Sequence, residues 1–335
     1  VRGQRTGSPL VSILINNYNY GRFLPEAIES ALNQTYPNTE VIVVDDGSTD
    51  DSREVIARYG DRVVPVFKTN GGQGSAFNAG VAAGSGDVIC FLDADDVWAP
   101  HKVERVVETL ERHPEVGWLR HKLEMVDEEL ASLGAQEPVF EGSRPISRDP
   151  YLYLETRVSV PTSGLVLRRA AAEKVFPIPE RSAEVTVEEL VYDADAYVIA
   201  VLGTKDVGGY SLDEVLGYYR QHSHQRFGGV DDEARRLRRG RETGKLVSAV
   251  WSGQMGTRRI STRVYKLSLI LDVLDGRPVW SVKRLSVFAK GLAGTLSLLP
   301  KNSRLAMRQT FALLSAFVFP HSWLRRLARS RGLEA

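Results

Sequence analysis

Four short apolar runs separated by three segments of helical apolar spacing fill the first hundred residues, and this alternation restricts the fold more than any other feature. The runs are Leu10–Ile15, Glu40–Val44, Val63–Phe67 and Val88–Leu92. Between them, Phe23–Asn33, Ser52–Tyr59 and Gly74–Gly84 carry the spacing of helices. Strands that are apolar along their whole length must be covered on both faces, which predicts an α/β fold with a mainly parallel sheet flanked by helices. Ligands of such sheets bind beyond the carboxyl ends of the strands. The first run stops at Asn16-Asn17, the second at Asp45-Asp46-Gly47-Ser48 and the fourth at Asp93-Ala94-Asp95-Asp96. A site is expected at that edge.

The rest of the chain is less regular. Helices are expected over Val103–Arg112, Ala170–Val175 and Asp193–Leu202, with strands at Leu165–Leu167 and Leu216–Tyr219. Past residue 235, helical spacing returns in Val264–Leu274, Trp280–Leu298 and Leu305–Phe319. Charge divides the chain at the same place. Residues 1–234 hold 22 Lys/Arg against 38 Asp/Glu, whereas residues 235–335 hold 21 against 4. We therefore expect a catalytic domain at 1–234, in two halves of about 9–125 and 126–234, and a basic helical extension at 235–335. The single cysteine, Cys90, excludes a disulfide framework and a cysteine-based zinc site. The longest uncharged apolar-rich stretch, Gln309–Leu324, is shorter than the roughly 20 residues of a membrane span, so none is expected.

Three segments carry chemistry. Three carboxylates within Asp93-Ala94-Asp95-Asp96 repel one another unless a cation lies among them, and Mg²⁺ or Mn²⁺ takes such oxygen ligands beside a substrate phosphate. The competing reading is a solvated, helix-capping turn. At the second strand end, Asp46 is placed to accept from a ribose hydroxyl or a base N–H, with Asp50 or Ser52 capping the next helix. The glycines of Asn70-Gly71-Gly72-Gln73-Gly74 let backbone approach a ligand closely, and a helix starting there favours an anion.

In this order, Val11–Asn19, Ser30–Pro37, Glu40–Ser52, Asn70–Gly80 and Gly86–Pro100 resemble the family 2 glycosyltransferases, inverting enzymes of the GT-A fold. The resemblance is strong over residues 9–125 and continues in islands to about 228. It implies a nucleoside-diphosphate sugar donor, with a UDP-sugar favoured, and a hydroxyl acceptor: a glycan, a lipid-linked sugar or a small molecule. Asn17, Tyr18, Asp45, Asp46, Gly72 and Asn78 would form the nucleotide-sugar site, Tyr18 lying along the base. Asp93-Ala94-Asp95 matches the family's Asp-x-Asp motif, with Asp95 on the metal and Asp93 towards the ribose and metal. His222 would complete the metal shell. Asp193 aligns with the catalytic base, and Asp195 is its rival. Asp96, Ser163, Gly164 and Arg220 would face the acceptor or the diphosphate.

The alternatives are a nucleotidyltransferase and a non-catalytic nucleotide-sugar-binding module. The first wants a basic residue in an N-terminal glycine-rich loop, which Asn16–Gly21 lacks. Residues 279–335 carry ten Lys/Arg and one acid among Leu, Phe, Val and Trp, a composition suited to an anionic membrane surface. Packing on the catalytic domain or on a twin chain is the other reading of these helices. A cytoplasmic protein, peripheral at the membrane and without nucleic acid, is expected.

Overall fold

The computed structural model describes residues 7–146, 160–179, 194–223 and 225, residues 265, 268 and 269, and the helical segments 282–296 and 303–318. Spatial proximity divides the chain into two compact units, one of residues 1–148 and 158–230 and one of residues 149–157 and 231–335.

The first unit is built on a ten-stranded sheet. Strands β1 (Val11–Asn17), β2 (Thr39–Asp45), β3 (Val64–Phe67) and β4 (Val88–Asp93) lie in the order β3-β2-β1-β4, all parallel. They are linked through helices α1 (Leu24–Leu32), α2 (Ser52–Ala57) and α3 (Gln73–Ala83). The order reverses at β1, which pairs β2 on one side and β4 on the other, and this is where open α/β sheets form a crevice. Register makes the crevice polar: Asn17 lies opposite Asp45, and Asn16 opposite Asp93.

Alternation assigns each strand residue to a face. Val11, Ile13 and Ile15 join Val41, Val43, Cys90 and Leu92 in the main core, under Leu24, Ala27 and Ile28 of α1. Each such side chain contributes roughly 1.5–3 kcal/mol on burial. The same core takes Val103, Val106, Val107 and Leu110 from α4 (Lys102–Arg112). On the other face α3 sits so close that a Cβ on Gly80 would lie 3.2 Å from Val44 and 3.3 Å from Leu14.

Past β4 the sheet is mixed rather than parallel. β9 (Leu165–Arg168) runs antiparallel to β4, and β6 (Val116–Val126) antiparallel to β9. β10 (Gly208–Arg220) is parallel to β6 and carries β5 (Val97–Trp98) on its far side. β7 (Ser132–Glu137) and β8 (Arg144–Ile146) pair with β6 and β10. Helix α5 (Arg169–Ala172) follows β9, and α6 (Ala194–Thr204) precedes β10. The sequence reading had no strand at Val116–Val126 and only the end of Gly208–Arg220. Both strands interleave charges that hide their period. Lys122 meets Asp213 at 2.5 Å, and Glu214 meets Arg105 of α4 at 2.6 Å.

In the second unit α7 (Val282–Leu296) packs on α8 (Ser303–Val318). Phe288 stacks on Phe317 with ring centroids 4.6 Å apart, and Leu269, Leu313 and Phe317 are buried. The expected helix at 264–274 is represented by residues 265, 268 and 269, all helical; its other positions, and the basic run 235–241, lie outside the described residues. No described helix is long and apolar enough to cross a membrane.

Candidate active site

The polar strand ends form one connected edge. Asn16 Nδ2 donates to Asp93 Oδ1 at 2.7 Å, joining β1 to β4. Asn17 Nδ2 donates to Asp45 Oδ1 at 3.1 Å and to Ser48 Oγ at 3.2 Å, joining β1 to β2. Asp45 is wholly buried, and its other oxygen takes Arg53 Nε at 3.1 Å. Asp45 and Asn17 therefore frame the crevice, while the neighbouring Tyr18 is 46% exposed at its rim.

Asp46 organises the glycine loop. Its Oδ1 accepts from Lys68 Nζ at 2.6 Å and from Gly71 N at 3.0 Å, and its Oδ2 accepts from Gly72 N at 2.7 Å. Gly72 adopts φ +81°, a conformation that side chains disfavour, and thereby turns its N–H to the carboxylate at the start of α3. Lys68 is a residue that the sequence reading passed over. Its only signal was a lone cation two positions before Asn70-Gly71-Gly72. Asn78, expected at the nucleotide sugar, instead closes two bonds on the Ile178 backbone, at 2.8 and 2.7 Å.

We expect Lys68→Met to loosen this loop. A hydrogen bond to a charged group contributes about 1.5–3 kcal/mol, so nucleoside-diphosphate affinity should weaken roughly 10- to 100-fold. Calorimetric titration checks it, and unchanged affinity would remove Lys68 from the loop's support.

The acid cluster lies across the crevice. One ligand atom each of Asp93, Asp95 and Asp96 falls within 4.8 Å of the others. Ser163, in the 3-10 turn Thr162–Gly164, clamps the cluster: its hydroxyl donates to Asp96 Oδ2 at 2.5 Å and accepts from Asp93 N at 3.0 Å. Trp98 Nε1 fixes that turn through Ser163 O at 2.9 Å. From β10, Arg220 N donates to Asp96 Oδ1 at 3.0 Å and Arg220 Nε to Asp95 O at 2.8 Å. The same guanidinium reaches Glu26 Oε2 at 2.6 Å and the Glu128 carbonyl, and it lies over the Phe23 ring. His222 Nε2 is 3.1 Å from Asp95 Oδ2, and its Nδ1 is buried without a partner.

Five of the expected positions read differently in this setting. Arg220, 1% exposed, is bonded at each guanidinium nitrogen to a protein group and braces the acids. Ser163 and Asp96 are wholly buried and bonded to each other, so they shape the cluster from beneath instead of meeting an acceptor. Gly164 is there because a Cβ would stand 2.9 Å from the His121 carbonyl. Ala94, in the core, fills space between the acids.

Crowding shows in the acids' protonation. Burial, and then the Asp95 charge, push Asp93 up to about 7; burial and the charges of Asp95 and Asp93 push Asp96 well above the carboxylate range. This is what a cation-binding carboxylate set does with no cation in it. A raised folded-state value stabilises the protein below the unfolded value near 3.8, and that contribution is lost as pH rises through about 7. We therefore expect the metal-free melting temperature to fall between pH 5 and pH 8 through this group. The rise produced by Mn²⁺ should grow over the same interval, since metal and proton compete for the carboxylate. Differential scanning fluorimetry at the two pH values tests this, and an equal Mn²⁺ shift at both would exclude Asp93 as a ligand.

Asp195 stands in the first turn of α6, close enough for its charge to raise Asp93. Gln73, also missed from sequence, joins the parts: its Nε2 donates to Thr162 Oγ1 at 3.1 Å and its Oε1 accepts from Ala194 N at 3.4 Å. Asp193 lies outside the described residues.

With this geometry in hand, comparison with known proteins is decisive. Residues 12–176 match the model of glycosyl transferase family 2. An uncharacterized glycosyltransferase of Nostoc sp. is 41% identical over 223 residues, 63% of this chain and 65% of that protein. The matched segment, residues 12–176, is of glycosyl transferase family 2. Another uncharacterized glycosyltransferase, of Rickettsia prowazekii, is 45% identical over 109 residues, 32% of this chain and 34% of that one. The chain thus aligns with just under two thirds of the Nostoc protein and about a third of the Rickettsia one. Its fold is the GT-A fold. S. aureus TarS 1-349 in complex with UDP superposes with a TM-score of 0.56 at 14% identity, covering 94% of this chain and 91% of that one. The mannosyltransferase PcManGT from Pyrobaculum calidifontis, in complex with GDP-Man and Mn²⁺, gives 0.50 at 17% identity, covering 95% and 84%. Of the elements that brace the acids, β10 with Arg220, and His222 just after it, lie beyond the matched segment.

Proposed function

We propose that this family 2 protein is a metal-dependent inverting glycosyltransferase that moves a sugar from a nucleoside-diphosphate sugar, a UDP-sugar by preference, to a hydroxyl acceptor in glycan, polysaccharide or glycolipid synthesis. The observation that carries the reading is the carboxylate cluster at the end of β4, braced from three directions and faced by a further carboxylate on α6. The nucleotide sugars and Mn²⁺ of the structural neighbours support it.

Asp95 and Asp93, which belong to one carboxylate cluster, are the residues that would hold Mg²⁺ or Mn²⁺, with the His222 imidazole 3.1 Å from Asp95. When bound, the ion offsets the charge that grows on the leaving diphosphate. Tyr18 lies along the base, and Asn17, Asp45, Asp46 and Gly72 shape the wall behind the nucleotide. Asp195 of α6, or Asp193, takes the proton of the acceptor hydroxyl as its oxygen bonds to the anomeric carbon and the bond to the diphosphate breaks. Attack opposite the leaving group inverts that carbon. The acidic part of the chain, 1–234, is the catalytic domain in this reading. The basic part, 235–335, makes contact with an anionic membrane surface at the cytoplasmic face.

A thermal-shift screen of nucleoside diphosphates and their sugars, with and without Mn²⁺, tests the donor assignment. Stabilisation by a diphosphate that requires Mn²⁺, together with slow release of that diphosphate from its sugar, is expected. Metal-dependent binding without turnover on any hydroxyl acceptor would favour a non-catalytic binding module.

A further inference from the structure

Helix α8 has two apolar faces, and the helix pair uses one of them. Leu313, Ala316 and Phe317 are buried, with Phe317 stacked on Phe288 and Leu313 closed over Gly291, where a Cβ would stand 2.8 Å from its side chain. Met307, Phe311 and Leu314 are 61%, 69% and 46% exposed. Spacings of four and three residues put these three on one line along the helix, a line that half-buried Val318 continues. Leu285 of α7 is exposed as well. The three large apolar side chains aligned on α8 make an apolar stripe with none of the described residues of its own unit upon it, which marks an interaction surface.

The charge around the patch selects its occupant. The segment 279–335 holds ten Lys/Arg and one acid. Lys290 is exposed on α7, and Arg304 and Arg308 fall within α8 itself. A second copy would bring the same cations against one another, so self-association through this face is opposed by its own charge. A nucleic acid would satisfy the cations and leave Met307, Phe311 and Leu314 in water. An anionic bilayer satisfies both: phosphate headgroups meet the cations, and the acyl boundary takes the apolar line.

We propose that the Met307–Phe311–Leu314 stripe of α8 inserts into the headgroup–acyl boundary of an anionic bilayer, with the Lys and Arg of the same segment holding the headgroups. The proposal deepens the reading of the C-terminal region as a membrane contact. It is independent of the sugar chemistry, because its test uses no donor.

The test is co-sedimentation of the full chain with vesicles of phosphatidylcholine alone or with about 30% phosphatidylglycerol, at low and high salt. The protein should pellet with the anionic vesicles at low salt and leave them as salt rises, because screening shortens to a few Å near molar ionic strength. Met307→Asp/Phe311→Asp/Leu314→Asp should lower partitioning at least about tenfold, with helix content unchanged because all three positions are exposed. Phe311→Trp adds a readout of insertion: brominated acyl chains should quench the added fluorescence. A triple variant that binds as the parent does, or added fluorescence that brominated lipid leaves untouched, overturns insertion. Failure of the full chain to bind at low salt overturns the bilayer, and a dimer that the triple variant dissolves would then assign the face to a second copy. Diphosphate release measured on the same samples reports the glycosyltransferase reading separately.

Discussion

Asp95→Asn is expected to abolish sugar transfer and to remove the part of nucleoside-diphosphate binding that depends on Mn²⁺. The substitution keeps the shape of a side chain that is 5% exposed, and it leaves an oxygen for His222 Nε2. The fold should survive. What disappears is one negative charge at the position where a divalent ion would counter the leaving diphosphate. Metal stabilisation of that charge is worth several kcal/mol, and each 1.36 kcal/mol is tenfold in rate, so turnover should fall by about 10³-fold or more. Metal-free binding of the nucleotide, which in the proposed reading rests on Tyr18 and the Asp46 loop, should change little. The paired measurement is nucleoside-diphosphate titration with and without Mn²⁺, beside a transfer assay. A folded Asp95→Asn protein that keeps its metal-dependent binding refutes the metal assignment.

Loss of the catalytic base should leave the opposite signature. If Asp195 is the base, Asp195→Asn lowers kcat by about 10²- to 10⁴-fold with donor affinity intact, and the donor-only hydrolysis rate falls less than transfer does. Asp193→Asn then has a minor effect. The reverse result puts the base two residues earlier, at the position aligned from sequence. Asp195 lies close enough to perturb Asp93, so Asp195→Asn carries a second consequence: the raised value of Asp93 should come down, and Mn²⁺ should bind at lower pH than in the parent. Fluorimetry across pH measures this without any acceptor. If both single variants transfer at the parental rate, the proton is taken elsewhere.

How far the sequence carried these conclusions depends on the range of the interactions concerned. β1, β2 and β4 were legible because each is a continuous apolar run that ends abruptly in Asn or Asp, and the parallel register then sets those ends level. Asp93, Asp95 and Asp96 could be read for the same reason: three acids in four residues need no partner from elsewhere to be conspicuous. Their supports were not legible. Arg220 reaches Glu26 across 194 positions, Gln73 reaches Thr162 across 89, and Lys68 reaches Asp46 across 22. No local pattern announces such a pairing. Asp46 illustrates the limit from the other side. Its position at the strand end was right, but its carboxylate faces a lysine and two backbone N–H groups, which only the return of the chain through Lys68–Gly72 supplies. β6 and β10 escaped notice because charges that pair across elements, Lys122 with Asp213 and Arg105 with Glu214, break the apolar alternation by which strands are recognised.

The placement of β10 also governs when the site can exist during synthesis. Asp96 leaves the ribosome 124 residues ahead of the backbone N–H of Arg220 that holds it, and Asp95 leaves 127 residues ahead of His222. Throughout that interval the nascent chain offers its acidic motif only Asn16 and, later, Ser163 as partners, and the bonds from Arg220 are missing. The cluster acquires its shape when the closing strand inserts between β6 and β5, so completion of the sheet and assembly of the site are a single event. A fragment ending at residue 176, where the family match ends, would keep every aspartate of the motif and the Ser163 clamp but lack the bonds from Arg220 and His222. If the cluster holds a cation as proposed, cation affinity reports whether the last strand has docked.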